Sequence, residues 1–145
     1  MRSAGSILEM EAEPAFESND RGKGSLGQYR GVLIPANDRV RIRLAGSNPY
    51  QQELRALVES GTSPWETAIG RRSRELEAID APIPVRLFTG VRVSDVVGTV
   101  PRGLESVIDE ALSRLETAGR KARIPVELVR HRGRYRVELL VGLTR

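Results

Sequence analysis

Apolar side chains recur at helical spacing in the segment between Pro101 and Gly119. Successive members of the set lie three or four residues apart, which keeps one face of a helix apolar. Pro101 fits the first helical position because it has no amide hydrogen to leave unpaired, and Gly119 fits the position after the last turn. The β-branched run 96–100 just before Pro101 predicts a strand, so we expect a strand, a corner and a helix that rests on a sheet. The apolar positions are Leu104, Val107, Ile108, Ala111, Leu112, Leu115 and Ala118.

Strict alternation of apolar and polar residues predicts half-buried strands elsewhere. In residues 39–44 the apolar side chains would face the core, and three arginines would share the other face. Residues 124–130 and 135–140 predict a hairpin that turns at 131–134. Residues 84–98 predict another hairpin that turns at Thr89-Gly90, with Pro82 and Pro84 at a sheet edge.

Two segments carry the signals of a helix start. In 48–51, Asn, Pro and Gln fit an N-cap, the first helical position and a capping box, so we expect a helix to about Ser60 with Gly61 as its stop. Its inward side chains would be Tyr50, Leu54, Leu57 and Val58. In 63–66 the same chemistry predicts a short helical turn with Trp65 anchored on the core. Residues 71–79 fit either a strand or a helical turn, and 29–34 fits a short strand stopped by Pro35.

The resulting order of elements predicts the α+β class. It is strand, helix, strand, strand, helix, strand, strand, which fits a small antiparallel sheet or a partly open barrel with two helices. Residues 1–37 carry many polar and turn-forming residues and predict a flexible N-terminal arm. Residues 38–145 would form one folded domain, since a chain of 145 residues is long enough for one core.

The composition narrows the classes of function. The chain has no cysteine, which excludes disulfides, thiolate metal sites and cysteine nucleophiles. It has no apolar run near the roughly 20 residues of a membrane span, and Glu9, Glu11 and Glu13 interrupt any signal-peptide core. We therefore expect a cytoplasmic protein with no membrane partner.

Positive charge is concentrated in the predicted domain. Residues 1–37 hold four basic and five acidic side chains, whereas residues 38–145 hold 19 basic and 14 acidic ones. Only Lys23 and Lys121 are lysines, and the planar fork of arginine suits phosphate better than the point charge of lysine. Drift of lysine to arginine in a lineage with GC-rich DNA would give the same composition without a functional reason.

Three pieces of the chain resemble HIRAN domains. Residues 40–54, with Gly46-Ser47 and Tyr50-Gln51, are similar to the family's opening strand, turn and helix. Residues 97–102, Val-Gly-Thr-Val-Pro-Arg, are similar to its Val-Gly-Tyr-Leu-Pro-Arg corner, and a hairpin follows the next helix in the family's order. The resemblance covers about residues 38–141. It implies a non-catalytic module that binds DNA, and in characterised eukaryotic members a pocket holds a free 3′ end. The family's Asn-Pro-Tyr-Asp segment is absent, and Asp80 is the candidate for its aspartate.

The candidate nucleic-acid-binding residues are mainly arginines. If the strands of 39–44 and 135–140 are neighbours, their arginines form a basic surface that contacts phosphates without regard to sequence. Tyr135, Tyr50 or Phe88 would offer a ring for base stacking. An ordinary solvated sheet face, interleaved with Glu127 and Glu138, is the alternative interpretation of the same pattern. The candidates are Arg39, Arg41, Arg43, Asn48, Tyr50, Arg86, Arg102, Arg130, Arg132, Arg134 and Arg136.

Catalytic and metal chemistry have no clear candidates in the sequence. His131 is the one histidine, and it lies in a predicted turn between arginines with no second ligand or triad partner. The glycines at 22 and 24 do not have the spacing of a phosphate loop. We therefore expect no enzyme, no cofactor and no metal.

Two hypotheses follow for the function. In the first, the chain is an adaptor that binds DNA, as a single strand or at its ends, beside a larger repair, recombination or replication protein. In the second, it is a protein-interaction or regulatory module that keeps the fold without binding DNA. A weaker third idea is self-association through the edge near Pro82 and Pro84 or through the C-terminal hairpin.

Overall fold

Most of the predicted strands and both predicted helices are present. The computed structural model describes residues 26–31, 33–60, 64–90 and 92–145. The strands are β1 (Tyr29–Arg30), β2 (Ile34–Pro35), β3 (Ile42–Arg43), β4 (Trp65–Thr67), β5 (Pro84–Phe88), β6 (Val93–Thr99), β7 (Pro125–His131) and β8 (Arg134–Leu139), and the helices are α1 (Gln51–Ser60), α2 (Arg74–Ala78) and α3 (Glu105–Thr117).

Six of the strands form one curled antiparallel sheet in the order β3-β8-β7-β4-β5-β6, and β1 and β2 form a separate small sheet. Just beyond β3, Ala45 pairs with Thr99 of β6 through two backbone hydrogen bonds of 2.8 Å. This bridge brings the two outermost strands of the sheet together and gives the half-barrel shape. The α+β class and the small, partly open antiparallel barrel are therefore confirmed.

The main helix buries the predicted apolar stripe. Val107, Ile108 and Ala111 are fully buried, while Ala118 at the end of the stripe is exposed. The expectation that Pro101 occupies the first helical position is wrong, because α3 begins at Glu105. Pro101 instead accepts a hydrogen bond of 3.0 Å from Leu104 in a turn that precedes the helix.

Gly119 ends α3 as its sequence position predicts. It has a φ of 72°, which a residue with a side chain rarely adopts. Its amide donates to the carbonyl oxygen of Glu116, and the amide of Arg120 donates to that of Leu115. This pair of bonds satisfies two carbonyls that the helix end would otherwise leave unpaired.

Two expectations about the middle of the chain are wrong. Part of the segment predicted as a second helical turn forms β4, which is held between β5 and β7 by pairs such as Glu66 with Phe88 and Trp65 with Val126. Trp65 nevertheless packs against the core as predicted. Pro84 does not begin an edge strand, because β5 lies between β4 and β6. As the first residue of β5, Pro84 fits the sheet despite its missing amide hydrogen.

The predicted capping box at the start of α1 is also wrong. Residues 48–50 form a 3-10 turn, and Ser47 in the capping position makes no side-chain cap. Its hydroxyl instead donates to the carbonyl oxygen of Val97 in β6, at 2.8 Å. Gln51 reaches β8, where it accepts from the amide of Tyr135 at 2.7 Å and donates to its carbonyl oxygen at 3.0 Å. Tertiary contacts have therefore replaced the local cap.

The two ambiguous segments form short elements. Ser73 caps α2 by accepting a hydrogen bond from the amide of Leu76, so the helical alternative for 71–79 is the one adopted. The segment 29–35 contains two short strands, β1 and β2, instead of one.

Part of the segment predicted as a flexible arm, residues 1–37, belongs to the fold, because Tyr29 and Leu33 pack against the core. Residues 1–25 of that segment lie outside the described residues.

Candidate nucleic-acid interface

The register of three neighbouring strands brings several arginines to one side of the sheet. β8 pairs with β3 on one side and with β7 on the other, so Arg43 lies opposite Glu138, and Val129 lies opposite Arg136. Buried residues such as Ile42, Val137 and Leu139 alternate with them and face the core. We call the outward set the outer face; its members are Arg41, Arg43, Glu127, Val129, His131, Arg134, Arg136 and Glu138.

His131 lies on the outer face, and positively charged neighbours lower its pKa. It ends β7 opposite Arg134 and is followed by Arg132 and Gly133 in the hairpin turn, both at positive φ. The charge of Arg136 is the largest cause that lowers the pKa of His131 below its ordinary value, and Arg132 and Arg43 lower it further. Guanidinium groups from β8, the turn and β3 therefore act together on one point of the surface.

Two carboxylates hold Arg41 at the other end of the outer face. One terminal nitrogen of Arg41 contacts Glu138 at 2.8 Å and also donates to Glu127. These hydrogen bonds raise the pKa of the Arg41 guanidinium. The prediction that Arg41 shares a face with Arg43 is correct in geometry, but its charge is already paired. The basic part of the outer face is therefore the end near the hairpin turn.

Arg130 and Tyr135 lie on the opposite side of the same hairpin. They face each other across β7 and β8, and the guanidinium carbon of Arg130 lies 5.8 Å from the centre of the Tyr135 ring. Tyr135 is half-buried and its backbone is held by Gln51. Alternation along the strands therefore separates Arg130 from the outer face by the thickness of the sheet.

Arg86 is separated from the outer face by β4. It lies on β5, where it donates to the carbonyl oxygen of Ser94 at 3.3 Å. On the same strand, the ring of Phe88 is covered by the guanidinium of Arg123 at 3.8 Å, and Arg123 also lies 3.7 Å from Glu66. One face of the Phe88 ring is therefore already occupied, which leaves less of it for stacking a base.

Arg102 has protein partners at the base of α3. It lies 2.7 Å from Glu105 and donates to the backbone carbonyl oxygen of Asp80 at 2.6 Å. Asp80 also lies 3.3 Å from Arg72, so the loop before β5 is held by two arginines.

Sequence reasoning missed a buried ion pair beside this loop. Arg72 and Asp109 have side chains only 5% and 3% exposed, and their closest charged atoms lie 2.9 Å apart. Asp109 also accepts a hydrogen bond from the backbone amide of Arg72. The two residues are 37 positions apart and no local pattern links them. The pair holds the segment just before α2 against α3.

The remaining candidates are Arg39, Asn48 and Tyr50. Arg39 is exposed in the turn before β3, and its backbone amide donates to the side chain of Asn37 at 2.8 Å. Asn48 and Tyr50 are half-buried in the 3-10 turn. The contact of Gln51 with Tyr135 brings that turn close to β8.

A cavity of about 340 Å³ lies between α1 and the β5–β6 hairpin. Its lining includes Glu53, Leu57, Arg92 and Asp95. The amide of Asp95 lies 3.4 Å from the Glu53 carboxylate, so part of the polar lining is engaged within the protein.

Clusters of metal-ligating side chains and helices able to cross a membrane are both absent from the part of the chain that the structure describes. No three histidine or acidic side chains in those residues are grouped closely enough to hold a metal ion. No helix among them has the length and apolar character needed to cross a membrane. No protein-family model, curated protein or solved structure matches the chain.

Proposed function

We propose that this chain is a non-catalytic module, HIRAN-like in fold, that binds the phosphate backbone of nucleic acid on its outer face. The single observation that supports the proposal most is the strand register, which places Arg43, Arg134 and Arg136 on one side of the sheet, with His131 opposite Arg134. Guanidinium groups form bidentate, charge-assisted hydrogen bonds with phosphate oxygens. Such contacts carry no sequence information, so we expect binding to any sequence and a strong dependence on salt.

Charge balance on the outer face supports the same proposal. The outer face has four arginines and two glutamates, and Arg132 in the turn adds a fifth positive charge. Both glutamates contact Arg41. Both glutamates lie farther from the hairpin turn than Arg134 and Arg136 do, so positive charge predominates near the turn. The HIRAN resemblance adds DNA, single-stranded or at its ends, as the ligand within this class.

A paired set of variants tests the proposal. Replacement of Arg43 and Arg136 by glutamine removes two charges of the outer face and keeps a polar side chain at each position. The control replaces the exposed Arg55 of α1 and Arg74 of α2 by glutamine, which changes the net charge equally away from that face. Binding of a labelled oligothymidylate is followed by fluorescence anisotropy at several salt concentrations.

We expect the first variant to lose affinity and to reduce the salt slope by about 0.7 for each phosphate contact removed. The control variant should keep the affinity and slope of the wild-type protein. Equal losses in the two variants would show that only net charge matters, and the outer face would not be the site. Absence of binding by the wild-type protein at low salt would overturn the proposal and favour the protein-interaction hypothesis.

A further inference from the structure

His131 is the titratable group of the outer face whose ordinary pKa lies nearest to neutral pH, so its protonation is the one that a bound phosphate backbone can change most easily. It lies opposite Arg134 of β8 and is followed by Arg132 in the turn, and the charges of Arg136 on β8 and Arg43 on β3 also act on it. Glu127 and Glu138 are the acidic groups of the same face, and both contact Arg41 near its other end. In the free protein, the charges closest to the imidazole are therefore positive.

We propose that nucleic-acid binding on the outer face is coupled to protonation of His131, which then contributes a further positive charge to the site. This inference rests on the proposed function. In the free protein the surrounding guanidinium groups disfavour the imidazolium form. A polyanion that contacts the same guanidinium groups brings negative charge next to the imidazole and favours its protonated form.

The affinity for nucleic acid should depend on pH, because the pKa of His131 differs between the free protein and the complex. The pKa of His131 in the free protein lies below its ordinary value, mainly because of Arg136. In the complex we expect it to lie higher, because phosphate oxygens neutralise the arginines and accept a hydrogen bond from the imidazolium. Binding then takes up a proton at every pH between these two values, so the affinity increases as pH decreases, by at most tenfold per pH unit for one proton.

The inference is directly measurable, because the 145 residues contain one histidine, whose ring gives one set of imidazole signals in the NMR spectrum. The pKa of His131 is measured by NMR in the free protein and with saturating oligothymidylate that carries no terminal phosphate. The affinity of the same oligonucleotide is measured in parallel at about pH 7.5 and about pH 5.5, a range in which few ordinary carboxylates titrate.

We expect the pKa to rise on binding and the affinity to increase about three- to tenfold from the higher to the lower pH. His131→Gln should gain much less affinity between the higher and the lower pH than the wild-type protein does. His131→Lys should bind at both pH values with the affinity that the wild-type protein reaches at the lower one.

The outcomes separate this inference from the proposed function. Binding on the outer face with an unchanged pKa of His131, or an equal pH dependence in His131→Gln, would overturn the coupling and leave the proposed function intact. If the wild-type protein does not bind the oligonucleotide at either pH, both are overturned.

Discussion

At the residue scale, the charged side chains of this protein act in two different settings. Arg72 and Asp109 form a buried pair, in which each charge depends on the other because water is excluded. Arg43, Arg132 and Arg136 lie at the surface, where their effect on His131 is shared and screened by solvent. The first group contributes to stability, and the second is the part of the surface that the proposed function uses.

The buried pair should be sensitive to the loss of one partner. Asp109→Asn leaves the Arg72 charge without its closest carboxylate, and we expect a loss of about 3–5 kcal/mol in the free energy of unfolding. Urea denaturation followed by circular dichroism measures it. Asp95→Asn is the control, because the Asp95 side chain is 88% exposed; its effect should stay within about 0.5 kcal/mol. Equal effects of the two variants would contradict the account of the pair.

Among the neighbours of His131, Arg136 should lower its pKa the most. We expect a value below 6.5 in the free protein, and Arg136→Gln should raise it toward 6.5. Because neighbouring arginines disfavour the imidazolium form, His131 does not affect stability above its ordinary pKa, and it lowers stability as pH falls from that value through the depressed one. NMR titration of the imidazole signals checks both values. An unchanged pKa in Arg136→Gln would show that the two groups do not interact.

At the scale of elements, local patterns were sufficient where a segment buries one continuous face. The stripe of α3 and the alternation around the β7–β8 turn both predict the observed structure, since each reflects a period set by the backbone alone. β4 was predicted wrongly, because its three residues have no period and gain their conformation from Phe88 and Val126 on other strands. The prediction for the start of α1 was wrong for the same reason, since Gln51 binds Tyr135 and no local cap forms.

The bridge between β3 and β6 requires close approach at Gly98. A methyl group there would lie 2.8 Å from the Ser47 hydroxyl and 3.0 Å from the carbonyl oxygen of Ala45. We expect Gly98→Ala to lower the free energy of unfolding by about 1–3 kcal/mol, because the strands must separate to admit it. Gly70→Ala is the matched control, since a methyl group there meets nothing within 4 Å. Both are measured by thermal and urea denaturation, and equal stabilities would contradict the close approach.

At the scale of the whole molecule, the curled sheet decides which arginines can act together. β3 and β8 are adjacent, so the strand order meets the condition under which residues 39–44 and 135–140 were expected to share one surface. Arg86 lies beyond β4, and Arg130 faces the other side of the hairpin, so neither belongs to the outer face. Glu127 and Glu138 form ion pairs with Arg41 that link β7 and β8 to the residue just before β3. We call these two ion pairs the Arg41 clamp. Its geometry depends on a strand register that the sequence does not specify.

Removal of that clamp should strengthen nucleic-acid binding. Glu127→Gln with Glu138→Gln eliminates two negative charges of the outer face and releases the Arg41 guanidinium. We expect a higher affinity for oligothymidylate and a steeper salt dependence, by about 0.7 if Arg41 gains one phosphate contact. The control is Glu59→Gln with Glu75→Gln on α1 and α2, which changes the net charge equally elsewhere. Equal gains in affinity from both pairs would argue against a local role of Arg41.

The measurement that tests the central claim most directly is a fluorescence-anisotropy titration of the wild-type protein with labelled DNA. Single-stranded, duplex and 3′-blocked oligonucleotides are compared at low and at near-physiological salt. Binding that weakens steeply with salt, at similar strength for unrelated sequences, is the result expected for the outer face. A requirement for a free 3′ end would add the end recognition that the HIRAN resemblance implies. No binding at low salt would contradict the account.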